Sequence, residues 1–370
     1  MMKRVIMGMS GGVDSSVSAL LLKEQGYDII GLFMKNWDEK DESGVCTATD
    51  DADDARRVCH QLNIPYYTIN FEKEYWDTVF SYFLSEYKKG RTPNPDIMCN
   101  QEIKFNAFLK YALKIKGDYI AMGHYARVDE NNQLLRGVDK SKDQSYFLSR
   151  INKEALSKTI FPIGEMEKTQ IREIAEKNNL VTATKKDSTG ICFIGERNFN
   201  EFLDKYLFTK PGDIIDVDSK IKVGRHTGVL HYTNGQRKGL GIGGVGSGEP
   251  WFVVGKNLSK NEIYVAQSKA HPANYSIGLI GSNEHWIGGN RPNNKNLTAK
   301  FRYRQPDVPI DIEYLDDENV KLDFDRFKGI TPGQSAVIYD GDICLGSIII
   351  DKPIPLDSKY EFANQYPERK

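Results

Sequence analysis

A short apolar run at residues 5–9 passes into Gly8-Met9-Ser10-Gly11-Gly12-Val13-Asp14-Ser15-Ser16. Within and beyond that turn, Val13, Val17, Leu20 and Leu21 recur at the i, i+4, i+7, i+8 spacing of one helix face. Strand, glycine turn and helix together constrain this chain more than any other feature. Glycines at such a turn let backbone N–H groups approach a polyphosphate, and the helix start adds partial positive charge and hydroxyl donors. The turn has no lysine, so it is not a Walker A loop, and no G-x-G-x-x-G, so it is not a dinucleotide fingerprint. The alternation continues, with strands expected at 28–34, 66–70 and 118–122. Helices are expected at 51–62, from the end of the third strand to about residue 87, and at 101–116, the last with Phe105, Phe108, Leu109 and Ala112 on one face. Strands separated by helices imply an α/β fold, a doubly wound parallel sheet with helices on both faces.

Past residue 207 the helical period fades and short alternating stretches punctuated by glycine take over. Residues 211–270 read as one small β-rich module. Residues 298–350 read as a second, with strands near 298–304, 310–314, 320–324, 335–339 and 343–349, an even spacing that suits a small closed β-barrel. The expected division is 1–207 for the nucleotide domain, 208–272 for a central β-rich domain and 273–352 for a C-terminal barrel. Residues 353–370, with prolines and mixed charge, are expected to be a flexible tail. A chain of 370 residues suits two or three cores.

The basic start Met1-Met2-Lys3-Arg4 is followed by too short an apolar run for a signal peptide, and no stretch reaches the ~20 apolar residues of a span. A cytoplasmic protein with no membrane partner is expected. The net charge of −1 gives no hint of a nucleic-acid partner, but its distribution is uneven. Residues 38–54 carry eight acids and one base, whereas 219–240 and 291–304 each carry five Lys or Arg and no acid. Solvated strand faces and a basic RNA-facing surface both fit that segregation.

The Ser-Gly-Gly-x-Asp-Ser form at residues 10–15 resembles the PP-loop of ATP pyrophosphatases, which cleave ATP between the α and β phosphates. That resemblance implies ATP on Gly8 to Ser16, with Asp14 helping to hold Mg²⁺. Ligands of doubly wound sheets bind outside the carboxyl ends of the strands. Met34, at the end of the second strand, and Gly123, after the fourth, are therefore expected beside adenine and ribose, although Met34 also reads as plain core.

Five cysteines without a C-x-x-C pair argue against a disulfide scaffold and a zinc ribbon, and no metal site of the protein's own is expected. Cys99 closes the proline-stiffened stretch Thr92-Pro93-Asn94-Pro95-Asp96-Ile97-Met98-Cys99, read as a loop entering the 101–116 helix. There the helix dipole would lower its pKa and Asp96 could act as base. Cys192 lies between glycines in Gly190-Ile191-Cys192-Phe193-Ile194-Gly195, which suits a segment that must swing. Cys59 and Cys344 read as small buried hydrophobes. Cys46 sits among acids, where negative charge opposes a thiolate.

The stretches Gly8–Ser16, 33–37, 94–105, 123–127, 142–144, 190–197, 235–240 and 332–334 together resemble the tRNA-specific 2-thiouridylases, the MnmA/TrmU family, over the whole chain. The resemblance implies that ATP adenylates C2 of the wobble uridine and that a persulfide on Cys192 delivers sulfur there. Cys99 then attacks or relays it, through a transient disulfide with Cys192. It implies Asp96 as acid/base, Asn94, Pro95 and Asp96 on the target base, and Lys142, Asp143, Gln144, Tyr303 and Arg304 on tRNA. His124 and Gln334 would lie near the RNA. A base in an anticodon loop is reached by unstacking it into a pocket. The implied partners are lysine, glutamate and glutamine isoacceptor tRNAs and a persulfide donor such as a cysteine desulfurase or a sulfur-relay protein. Two rivals remain, one sharing the loop and one only the α/β fold. A ligase acting on a small molecule would need neither paired thiols nor basic β-modules, and a non-catalytic nucleotide-binding module would need no Asn-Pro-Asp-x-x-Cys stretch.

Overall fold

The computed structural model describes residues 2–37, 47–187, 198–244, 246–293 and 295–367. Strands β1 (Arg4–Met9), β2 (Asp28–Lys35), β3 (Tyr66–Asn70) and β4 (Tyr119–Ala121) form a parallel sheet with a fifth short strand, Thr159–Ile160. The order is β3-β2-β1-β4-(159–160). The chain winds outward from β1 through β3 and then crosses to the other side of β1. The switch point therefore falls between the carboxyl ends of β1 and β4, where doubly wound sheets bind ligands. Helix α1 (Val13–Glu24) leaves β1, and α2 (Thr47–Gln61) precedes β3. Val5, Ile6 and Met7 of β1 are wholly buried, as a sheet covered on both faces requires, and so is Val17 on α1.

The helix expected at 101–116 is the later part of a longer one. Helical geometry begins at Pro95, passes through a π-helical stretch at Asn100–Ala107 and ends at Lys114. Asn94 caps it, its Oδ1 accepting from the N–H groups of Asp96 (3.1 Å) and Ile97 (3.3 Å). Asn followed by Pro is a cap and first-turn signal, and reading the prolines only as loop stiffeners overlooks it.

Downstream, Asn364–Gln365, Trp251–Asn257, Glu262–Gln267, Gly212–Asp216 and Lys222–His226 form a second sheet in that order. A third, curled and antiparallel, is built on Tyr275–Trp286, Asn319–Lys328, Ser335–Asp340 and Ile343–Pro355, and makes the expected barrel. Leu279, Val320, Leu322, Ile338 and Ile348 fill its interior. Its strand Tyr275–Trp286 lies in a stretch where no strand is expected. A hairpin of the first domain, Ala126–Val128 with Leu134–Arg136, also joins this sheet, Leu134 opposite Cys344. The expected tail is likewise corrected. Residues 343–355 are one strand, Tyr360 and Ala363 are buried, and Asn364 pairs with Lys256. Apolar and aromatic residues between the prolines supply that anchorage, with Lys220 over the Phe362 ring at 3.2 Å.

Lys256 is 1% exposed and donates to the Gly90 carbonyl at 2.9 Å, joining the middle sheet to the first domain. Burial pushes its ammonium down from 10.5 to about 7. The unfolded chain keeps that proton up to the ordinary lysine range, while the folded chain sheds it from about 7. Stability should therefore rise as pH climbs from 7 toward 10, by on the order of a few kcal/mol from this group. Thermal unfolding at pH 7 and 9 should show a gain in the native chain that shrinks in Lys256→Met. Equal slopes would assign the effect elsewhere.

Candidate active site

The Gly8–Ser16 turn sits at the switch point. Gly12, extended at φ −95° and ψ 166°, precedes α1, and the Ser15 and Ser16 hydroxyls donate to its carbonyl at 3.0 and 2.8 Å. Ser10 Oγ and Ser15 Oγ lie 3.1 Å apart, which ties the two ends of the turn together. Gly11 adopts φ +74°, and a Cβ there would strike the Asp51 carbonyl on α2. A Cβ on Gly123 would lie 2.9 Å from the Ser15 nitrogen. Gly123 thus supports the turn by close approach. Met34 is partly buried, with its methyl against Gly8.

Asp14 is engaged from two sides. Its Oδ1 accepts from the Tyr125 hydroxyl at 2.7 Å, and Lys168 Nζ lies 2.7 and 2.9 Å from its two oxygens. Burial, and after it the Asp14 carboxylate, keeps the Tyr125 phenol protonated. Lys168 also pairs with Asp187 at 2.8 Å, and Asp187 takes Lys142 at 2.7 Å and Arg172 at 2.8 Å. Burial opposes ionisation of Asp187, but these lysines hold its carboxyl down to about 2. Tyr125, Lys168 and Asp187 were not singled out from the sequence. Only Tyr125, within the quoted 123–127 stretch, carried a signal.

Asp96 and His124 come together through a third residue. Lys104 Nζ lies 3.5 Å from His124 Nε2. Burial raises the Asp96 carboxyl while the Lys104 charge opposes that rise. Burial, helped by Lys104, drops the His124 imidazole well below its ordinary range, so it is neutral. With Lys104 donating to Nε2, the proton of neutral His124 sits on Nδ1, which is buried and meets no hydrogen-bonding group among the described residues. That atom fits an acceptor on a bound ligand. Phe105 and Phe161 flank the imidazole at ring separations of 5.9 and 6.0 Å.

Cys99, expected in a loop before the helix, is instead its fifth residue, 4% exposed and one position past the first turn. It shares that helix with Asp96. Cys192 and Cys46 lie outside the described residues. Cys59 and Cys344 are buried core thiols as expected, the first pushed up to about 12 by burial.

The expected RNA contacts divide. Lys142, Tyr303 and Arg304 line one cleft of about 470 Å³ with Lys140 and Lys300. Asp143 faces inward, 6% exposed, accepting from the Gly137 and Ser145 amides at 3.0 and 3.1 Å. Gln144 Oε1 accepts from the Tyr125 N–H at 3.0 Å, and Gln334 donates to the Thr92 carbonyl at 2.7 Å. These three polar groups organise the protein in this structure.

Three family models match in succession, described as a tRNA methyl transferase HUP domain over residues 3–196, a tRNA methyl transferase PRC-barrel domain over 200–267, and an aminomethyltransferase beta-barrel domain over 276–350. The tRNA-specific 2-thiouridylase MnmA of Alkaliphilus oremlandii is 59% identical over 94% of this chain and 97% of its own. MnmA 1 of Geobacillus kaustophilus is 58% identical over 96% and 97%. The chain belongs to the MnmA family of tRNA-specific 2-thiouridylases. Among solved structures, the U34-tRNA thiolase NcsA of Methanococcus maripaludis matches 51% of this chain and 61% of its own at 22% identity, with a TM-score of 0.34.

In this family member the acid-free stretches are not uniformly free. Arg302 donates to the Asn234 carbonyl at 2.8 Å and the Gly329 carbonyl at 3.2 Å, and Arg291 pairs with Glu284 at 2.6 Å. Arg304→Ala with Lys300→Ala should lower the log–log salt slope of tRNA binding by roughly one per lost contact. Arg302→Ala should instead lower stability, by roughly 1–3 kcal/mol, because it strands buried carbonyls. An unchanged slope in the first variant would remove the cleft from the RNA path. Lys104→Met should shift the acid limb of the kcat/KM profile to higher pH, since the cation that opposes protonation of Asp96 is gone. A limb that stays put would show that neither Asp96 nor His124 sets it.

Proposed function

We propose that this chain is an ATP-dependent tRNA sulfurtransferase that makes 2-thiouridine at the wobble position. The observation that supports it most is the adjacency at the end of β4. Gly123 packs on the amide of Ser15 in the nucleotide turn, and the next residue, His124, meets Lys104, which lies five residues past Cys99 and eight past Asp96 on one helix. A phosphate cradle and a buried acid–thiol helix therefore adjoin, which a nucleotide-binding module alone does not need. The MnmA relatives matched over nearly their full lengths point to the same reaction.

In this reading ATP lies on the Gly8–Ser16 turn, with Met34 and Gly123 toward the nucleoside and Asp14 toward Mg²⁺ carried by the phosphates. Asp14 fits such a cation, being a carboxylate at the mouth of the turn. Uridine O2 attacks the α phosphorus, the bond to the β-phosphate oxygen breaks, and its electron pair leaves with pyrophosphate. The oxygen on C2 is then part of a good leaving group. A persulfide on Cys192 attacks C2 and AMP departs. The Cys99 thiolate attacks the Cys192 sulfur, leaving the transferred sulfur on C2 and a Cys99–Cys192 disulfide for an external thiol to reduce. Asp96 moves the accompanying protons and His124 Nδ1 holds an oxygen of the target nucleotide. Lysine, glutamate and glutamine tRNAs are the proposed substrates, a cysteine desulfurase or sulfur-relay protein the donor, and the cytoplasm the setting. Among the described residues no helix is long and apolar enough to cross a membrane.

Pyrophosphate release that depends on added tRNA is the deciding measurement, since a small-molecule ligase would release it without RNA. Cys192→Ser should accumulate no protein persulfide and yield no thiolated tRNA. Cys99→Ser should load persulfide on Cys192 yet fail to complete transfer, with tRNA affinity close to native in both. Thiolation by Cys192→Ser, read by nucleoside mass spectrometry, would show that another group carries the sulfur.

A further inference from the structure

The nucleotide turn offers backbone amides and hydroxyls but no cation between Gly8 and Ser16. Lys168 stands at its mouth with a side chain only 13% exposed, shared between both oxygens of Asp14 and one of Asp187. It is the first residue of the helix Lys168–Lys177, where the helix field disfavours a cation unless anions offset it. The backbone at this point is pinned. Glu167 and Gln170 form a reciprocal cap, and the Lys168 N–H donates to Asp139 Oδ2 at 3.0 Å. The part free to redirect is the flexible four-carbon stem. While Lys168 and the Tyr125 hydroxyl occupy Asp14, that carboxylate is neutralised and has little capacity for a metal ion. Asp187, by contrast, is held in place independently by Lys142 and Arg172.

We propose that Lys168 is a catalytic residue that turns from Asp14 onto the β- and γ-phosphate oxygens of bound ATP. There it stabilises the departing pyrophosphate and frees Asp14 for the metal, while Asp187 positions it. This rests on the reading that the turn takes ATP. In the step concerned, the uridine O2–phosphorus bond forms and the bond from the α phosphorus to the bridging oxygen breaks. The electron pair and the added negative charge go to pyrophosphate, the end of the molecule that Lys168 faces. A preorganised cation at the site where charge develops lowers the barrier there. If Lys168 were only a strut for Asp14, it would affect the turn as a whole and show no preference for one product.

The products separate the two roles. With full-length protein, affinities for inorganic pyrophosphate and for AMP are measured separately by calorimetry, and kcat and KM for ATP in the tRNA-dependent reaction. Lys168→Met should weaken pyrophosphate by about 10–100-fold and lower kcat, with AMP affinity within about 2-fold of native. Lys168→Arg, which keeps the charge, should recover part of both. Asp187→Asn should give a smaller loss of pyrophosphate affinity with the same spared AMP. Asp14→Asn measured without divalent metal should bind pyrophosphate more tightly than native, because Lys168 is released, and adding Lys168→Met should abolish that gain. The double variant leaves no unpaired charge and so tests the role even if Lys168→Met alone folds poorly. Unchanged pyrophosphate affinity in Lys168→Met, an equal loss of AMP, or no gain in Asp14→Asn would each overturn the proposal. A native chain that binds neither ATP nor pyrophosphate would overturn the ATP reading itself, an outcome distinct from all of these.

Discussion

Gly123 and Ser15 approach so closely that no side chain fits between them, and the catalytic domain is arranged around that contact. It sets the closest approach of the turn after β1 to the segment after β4, across the gap where the strand order reverses. The hydrogen bond from the Tyr125 hydroxyl to Asp14 ties the two together, so the residues that follow β4 stand close against the turn. His124 and Tyr125 are the next two. One reaches toward Lys104 and the thiol-bearing helix, the other bonds Asp14. The close approach at Gly123 and the Tyr125–Asp14 bond thus set how near the Gly8–Ser16 turn stands to the helix of Asp96 and Cys99. A substitution adding even one methyl at residue 123 would act on both at once.

The start of the Cys99 helix is fixed from the opposite side by the two β-modules. Thr92 N–H donates to the Pro332 carbonyl at 2.8 Å, and the Thr92 carbonyl receives the Gln334 amide. Arg91, 2% exposed, donates to the Pro367 carbonyl at 2.7 Å and pairs with Asp351 at 3.3 Å. Lys256 holds Gly90 from the middle sheet. Residues 90–92 are therefore a joint at which the barrel, the middle sheet and the C-terminal segment all grip the chain just before Asn94 caps the helix. The β-modules hold the helix of Asp96 and Cys99 in place, and the barrel also lines the basic cleft.

What was legible in the sequence was local. The glycine turn, the strand–helix alternation and the core cysteines declare themselves within a few residues, because backbone conformation and side-chain period are short-range properties. The Asp14–Lys168 pair spans 154 positions, and nothing near either residue marks its partner. Lys104 was hidden for a related reason, since it became meaningful only once the fold set it beside His124. The anchored C-terminal segment is hidden in the sequence because its prolines and charges mask Tyr360 and Ala363, which find a core only after the middle sheet exists. The start of the Cys99 helix was a different kind of miss. Its cap signal, Asn followed by Pro, is local, but the same prolines also suit a stiffened loop.

Charge shows the same limit from another angle. The stretch 291–304 has no acid in its own sequence, yet Arg291 finds Glu284 and Arg302 finds the Asn234 and Gly329 carbonyls, all supplied from outside the stretch. A planar guanidinium with several donors in a fixed fork suits such multi-carbonyl sites, and its charge is spent inside the protein. Lys140, Lys300 and Arg304 instead gather around a cleft whose one acid, Asp143, is turned inward to hold the loop. The field that an RNA phosphate meets depends on which bases the fold leaves uncompensated at one place. Here that place adjoins Lys142, whose ammonium is tied through Asp187 to Lys168 and so to the nucleotide turn. A phosphate that draws Lys142 toward the cleft removes one of three cations from Asp187 and leaves that carboxylate a stronger hold on Lys168. A negative charge placed in the cleft therefore alters the charge balance around Lys168 through ion pairs alone.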